Sequence, residues 1–179
     1  MLVAAVITRP AFSQCSPGAI TVSASNTVLN TYFPATSSLA AGGKSIVLSA
    51  SVGAATAIAK GDLLLIIQMQ GSAINSNNGL DYGDGVAGGN AAGYTSSVAG
   101  TFEYAFAANS VATSGGTLYL LKGATNAYTN AAASGSAGAY RYQVVRVPRY
   151  TSFTINLILG GSVTATPWNG TAGAVVAFD

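Results

Sequence analysis

The sequence predicts an all-β protein: an antiparallel β-sandwich or jelly-roll-like barrel carrying two long loops rich in Gly, Ala and Asn. Three observations carry that prediction. The apolar runs are of strand length and are separated by Gly, Asn and Ser turns. No long segment repeats apolar residues at i, i+3, i+4 and i+7 between helix caps. Half of the 179 residues are apolar. That is enough to fill one core, and with so few charges disorder is not expected.

At the N-terminus, residues 1–7 (MLVAAVI) are a short apolar run, followed by Arg9 and Pro10. Ala11 and Ser13 stand two apart, which suits cleavage after Ser13. Residues 1–13 are therefore expected to be a signal peptide or its remnant, and residues 14–179 a single sandwich domain. Cys15 is the only cysteine, so no disulfide can form within one chain. An inert thiol, a link between chains and a lipidated residue remain open for it. In residues 14–33, Ile20, Val22 and Ala24 alternate with Thr21 and Ser23. This stretch is a candidate arm that donates a strand to a neighbour, the other reading being the first strand of its own sandwich. Alternation lapses after Ala24, which loosens the register.

Further along, residues 45–49 (SIVLS) read as a strand behind Gly42 and Gly43. Residues 63–69 (LLLIIQM) are continuously apolar between glycines, the mark of a strand buried on both faces. Residues 101–107 place Phe102, Tyr104 and Phe106 on one face. Strands are also expected at 117–121, 140–147, 151–159, 162–166 and 174–178, with Pro148 separating the third and second of these. Residues 72–100 and 124–138 are the two long loops. In the second, the run 131–133 (AAA) suits one helical turn. The apolar strand at 174–178 needs a partner for its edge: an internal neighbour, a continuation of the protein or another molecule.

Composition excludes several functions. There is no His, which removes Ser-His-Asp and Cys-His catalysis, His-ligated metals and imidazole switching. Charged residues make up 7% and the net charge is +2, without a basic stripe, so no nucleic-acid partner is expected. No apolar run is long enough for a transmembrane helix.

Residues 61–70 (GDLLLIIQMQ), 142–150 (YQVVRVPRY) and 168–173 (WNGTAG) resemble a recurring module of large secreted bacterial surface proteins, such as those of Bacteroidetes or myxobacteria. In those proteins it precedes a glycine-rich, repetitive β region. The resemblance covers residues 61–179. It implies export and an extracellular or cell-surface structural role, and it implies no catalytic residues. This chain departs from the pattern by stopping where the repetitive region would begin, which also fits an assembly unit standing alone.

The residues that could carry a site are few. Asn77, Asp81 and Asp84 offer oxygen ligands on a Gly-rich loop and are the candidates for calcium; no other cofactor is expected. The spacing is not that of an EF-hand, and a plain Asn/Asp/Gly turn is the competing reading. A glycosidase needs two facing carboxylates, and only Asp81 or Asp84 with Glu103 could supply them. No enzyme is expected. Tyr82, Tyr94 and Trp168 are candidates for stacking on a glycan. Asp62 suits a turn, while Arg141, Arg146 and Arg149 would be solvated or paired with Asp62, Glu103 or a neighbouring subunit. Asn169-Gly170-Thr171 matches a glycosylation sequon but also a strong turn.

The remaining expectation is assembly. Low charge removes repulsion between copies, and strand edges lack protective Lys and Pro. Ile20, Val22, Ala24 and Val28 of the arm, with Val175, Val176 and Phe178 of the last strand, are the candidate assembly residues. The partners expected are copies of the chain or a continuation of the same surface protein. A glycan-binding adhesin is the alternative.

Overall fold

The computed structural model describes residues 18–74 and 93–179. Along the chain run β1 (Gly18–Val22), β2 (Thr27–Val28), β3 (Thr31–Pro34), β4 (Ser45–Leu48), β5 (Val52–Gly53), β6 (Leu63–Gln70) and β7 (Ser72–Ile74). There follow β8 (Tyr94–Ser97), β9 (Phe102–Phe106), β10 (Gly116–Tyr119), β11 (Arg141–Arg146), β12 (Tyr150–Ile155) and β13 (Val163–Thr164). The fold is all-β and sandwich-like. Among the described residues no helix is long and apolar enough to cross a membrane.

The centre is an antiparallel sheet in the order β5-β3-β11-β6-β9. β6 contains the run 63–69 of the sequence, which is apolar but for Gln68 because both its faces are covered. Leu64 and Ile66 point inward and meet Phe33, Tyr142 and Val144 of the neighbouring strands. Leu65 points outward with Tyr32, Val145 and Val147, flanked by the half-buried Leu63 and Ile67. Fully burying a side chain of this size contributes about 1.5–3 kcal/mol.

The inner face is closed by the antiparallel pair β4–β10, whose Ile46, Leu48 and Leu118 complete the larger core. Single bridges, Ala35 with Leu48 and Ala107 with Leu120, stitch the two layers at their margins. Among the described residues no continuous ladder closes them into a barrel.

The outer face is covered by the chain's last segment. Residues 174–178 form no strand, contrary to the sequence expectation, because side chains take the place of a ladder. Three buried carboxamides act as pegs. Asn30 donates to the carbonyl oxygens of Arg146 (3.0 Å) and Ala177 (2.6 Å) and accepts from the Ala177 N–H (3.0 Å). Gln143 pairs with both backbone groups of Gly173, and Gln68 with both of Thr129. A carboxamide carries one acceptor oxygen and a donor NH2, so it can imitate a peptide unit. Gly173 has φ +117°, and a Cβ there would lie 2.6 Å from the Pro167 carbonyl oxygen, so the strap needs glycine at this point.

Other expectations are also corrected. Two pairings are parallel, β1 with β12 and β13 with β2. The ends of the 72–100 loop pair as the β7–β8 hairpin. Residues 131–133 are not helical; Ala131 exchanges hydrogen bonds with Tyr140 instead. The expected strand 151–159 stops at Ile155, and Leu157–Leu159 is a single 3-10 turn. Of the two readings of residues 14–33, the placement of β3 suits a strand of the chain's own sandwich: it lies between β5 and β11 with all four residues buried.

Candidate functional site

β1 and β12 form a ribbon outside the central sheet. Val22 is buried and anchors it, whereas Gly18, Ala19 and Thr21 are exposed. At its start, Phe153 lies 5.8 Å from the Tyr150 ring and stacks on Phe178 at 4.6 Å. The Tyr150 N–H donates to the carbonyl oxygen of Asp179 (2.7 Å), and Arg149 pairs with the Asp179 carboxylate at 2.7 Å. Burial raises the Tyr150 phenol above its ordinary value, with the nearby Arg146 charge opposing.

The ribbon has a defined direction for its backbone groups. The Val22 carbonyl oxygen accepts from Asn156 N–H (2.8 Å), so Val22 faces β12. Backbone groups alternate sides along a strand, so Ile20 also faces β12 while Ala19 and Thr21 aim theirs away. Among the described residues no third strand pairs with this ribbon. An isolated two-stranded sheet is marginal on its own, and a strand row with unpaired N–H and C=O groups is a template for another strand.

At the far end of the ribbon the chain turns through Leu157–Leu159. Asn156 caps the turn by accepting from Leu159 N–H (3.3 Å), and Gly160 closes it in the left-handed conformation at φ +78°. Gly161 N–H donates to the Asn156 carbonyl oxygen (2.9 Å), and a Cβ on Gly161 would collide with the Val22 carbonyl oxygen. These contacts hold an aliphatic knob in solvent: Leu157 is 78%, Ile158 96% and Leu159 65% exposed. Neither the knob nor the ribbon's free edge was foreseen as a unit, because the apolar run NLILG reads as the end of a strand.

A second exposed apolar surface lies on β9. Phe102, Tyr104 and Phe106 do share one face, as the alternation predicts, and all three are more than 45% exposed. The edge beside them is not open. The Phe106 carbonyl oxygen accepts from Leu121 N–H (2.9 Å), and that of Phe102 from the Asn126 amide (3.3 Å). Glu103 accepts from the N–H groups of Thr125 (2.8 Å) and Asn126 (3.1 Å). Its carboxylate therefore holds a loop. Behind Tyr104 is a cleft of about 330 Å³ lined by Leu63, Tyr104, Val147, Phe178 and Asp179.

The other sequence candidates fall in separate places. Ile20 is half-buried on β1, and Ala24 is exposed beyond its end. Val28 and Val175 pack on the outer core, while Val176 and Phe178 are 45% and 46% exposed. Tyr94 is 54% exposed on β8, and Trp168 is half-buried in the C-terminal segment. Asn77, Asp81, Asp84 and Tyr82 lie outside the described residues, as do residues 1–13 and Cys15. Asp62 does hold a turn, accepting from Ala59 N–H (2.9 Å), and it binds Arg146 Nε at 2.7 Å. Asn169 closes an Asx turn by accepting from Thr171 and Ala172. Compared with known proteins, the chain matches no family model, no curated protein and no solved structure.

Proposed function

We propose that the chain is a non-enzymatic structural module of an extracellular bacterial surface assembly, whose copies join by strand addition at the edge of β1 that no other described strand covers. The single observation that carries this reading is the β1–β12 ribbon, with Ala19 and Thr21 directing their backbone groups outward. The incoming strand would come from another copy or from a continuation of the same surface protein. The low charge of the chain supports close approach of like molecules. The resemblance of residues 61–179 to modules of secreted surface proteins supports export, with residues 1–13 as the signal peptide. A glycan-binding adhesin is the alternative; of its candidates, Tyr94 is exposed on β8 and Trp168 is half-buried in the C-terminal segment, apart in the chain.

The test is Thr21→Pro. Proline removes an outward N–H and leaves the bonds to β12 in place. Electron microscopy and light scattering of the parent chain should show polymers, and the variant should give monomers with an unchanged melting temperature. A parent chain that stays monomeric at high concentration would overturn the reading.

A further inference from the structure

We infer that the Leu157–Leu159 knob of one copy seats in the apolar cleft between Leu63, Tyr104, Val147 and Phe178 of the next, making a head-to-tail contact separate from strand addition. The inference rests on the assembly reading, which supplies a second copy as the partner.

The two surfaces fit in chemistry. Three aliphatic side chains stand in water at 65–96% exposure, an arrangement that burial would relieve. The cleft of about 330 Å³ is walled by Leu63, Tyr104, Val147 and Phe178, and its one charged member, Asp179, is already paired with Arg149. Its volume corresponds to about ten waters at ~30 Å³ each.

The knob does not fill the cleft of its own molecule, since Leu157, Ile158 and Leu159 stand 65–96% exposed. Asp179 and Phe178 sit beside Tyr150 and Phe153, at the start and middle of β12. The knob follows the other end. The strand from Tyr150 to Ile155 spans ~16 Å at about 3.3 Å per residue. The bonds from Asn156 and Gly161 fix the turn at the end of β12. A protruding apolar patch and a matching pocket at different places on one molecule generate a heterologous contact. Three aliphatic side chains bury far less than the ~1,000 Å² of a stable interface, so this contact reinforces a polymer that strand addition holds.

Charge argues for a protein partner over an anionic membrane. Between Arg149 and Asp179 the sequence holds no charged residue, so the knob brings no cation to lipid headgroups. Interfacial anchors combine an apolar face with Lys and Arg.

The test is disulfide trapping in a Cys15→Ser background. Ile158→Cys protein mixed with Tyr104→Cys protein should give a cross-linked dimer under mild oxidation, at least tenfold above either variant alone. Adding Phe178→Asp, at a cleft residue 46% exposed, to the Tyr104→Cys partner should abolish it, and Tyr119→Cys in place of Tyr104→Cys should not cross-link. Vesicles of phosphatidylcholine and phosphatidylglycerol should not float the parent protein. Absence of the mixed dimer, or flotation lost in Ile158→Asp, overturns the inference. Cross-linking that survives Thr21→Pro with polymers lost leaves the knob contact standing and identifies β1 as a separate joint. Polymers that form without cross-linking leave strand addition standing alone.

Discussion

The side chain of Gln143 pairs with both backbone groups of Gly173: its NH2 donates to the carbonyl oxygen at 2.8 Å, and its oxygen accepts from the N–H at 2.8 Å. Both residues are buried. Gln143→Leu keeps the volume and strands two polar groups, each costing about 1–3 kcal/mol. The variant should lose about 2–4 kcal/mol in urea unfolding. Amide exchange should quicken first at Gly173 and Ala177. A loss below about 0.5 kcal/mol would mean that the strap is held by its apolar contacts.

Tyr128 and Tyr142 lie 5.4 Å apart in the inner core but differ at their hydroxyls. The Tyr142 hydroxyl donates to the Ser37 carbonyl oxygen (2.7 Å), whereas that of Tyr128 has no hydrogen-bond partner among the described residues. Tyr142→Phe should cost about 1–2 kcal/mol, while Tyr128→Phe should be neutral or stabilising. Calorimetry should therefore place the first variant several degrees below the second. Equal melting temperatures would refute the distinction.

Arg146 and Asp62 meet at 2.7 Å with side chains 17% and 8% exposed. Removing one partner of a well-buried pair costs about 3–5 kcal/mol, and the residual exposure here lowers that to about 2. Asp62→Ala should show that loss in chemical denaturation and should also free the Ala59 N–H. Arg146→Met with Asp62→Leu should recover much of it. A double variant worse than the single would show that the turn at Asp62, rather than the ion pair, dominates.

Burial raises the phenol of Tyr142 to about 12 and moves those of Tyr32 and Tyr128 upward as well. A raised folded value favours the neutral form, so the associated stability is complete below the unfolded value of about 10 and is lost as pH climbs toward the folded one. Urea midpoints should be nearly flat from about pH 6 to 9, since His is absent, and should fall between about pH 10 and 12. A midpoint unchanged at pH 11.5 would contradict the burial of these phenols.

What was legible in the sequence was periodicity. The run 63–69 announced a strand with two covered faces, and Phe102, Tyr104 and Phe106 announced one aromatic face. Asp62 was legible as a turn residue because its side chain acts within three positions. The carboxamide pegs were not read. Gln68 and Gln143 do stand out as amides inside apolar runs, but their partners lie 61 and 30 residues away. The fate of residues 174–178 was hidden for the same reason, since an apolar alternation does not say whether a ladder or side chains will satisfy the backbone. The ribbon escaped because parallel pairing joins segments with no turn between them to mark the register.

The central sheet carries a consequence for biogenesis. Asn30 binds the carbonyl oxygen of a residue 116 positions later, and β3 next to it has no long neighbour until β11 exists. At about 5–20 residues per second, β11 leaves the ribosome on the order of ten seconds after β3. Through that interval Tyr32 and Phe33, destined for opposite faces of the sheet, lack the β11 strand that both faces are built on. The central sheet is therefore completed only late in synthesis, whatever earlier strands have already met.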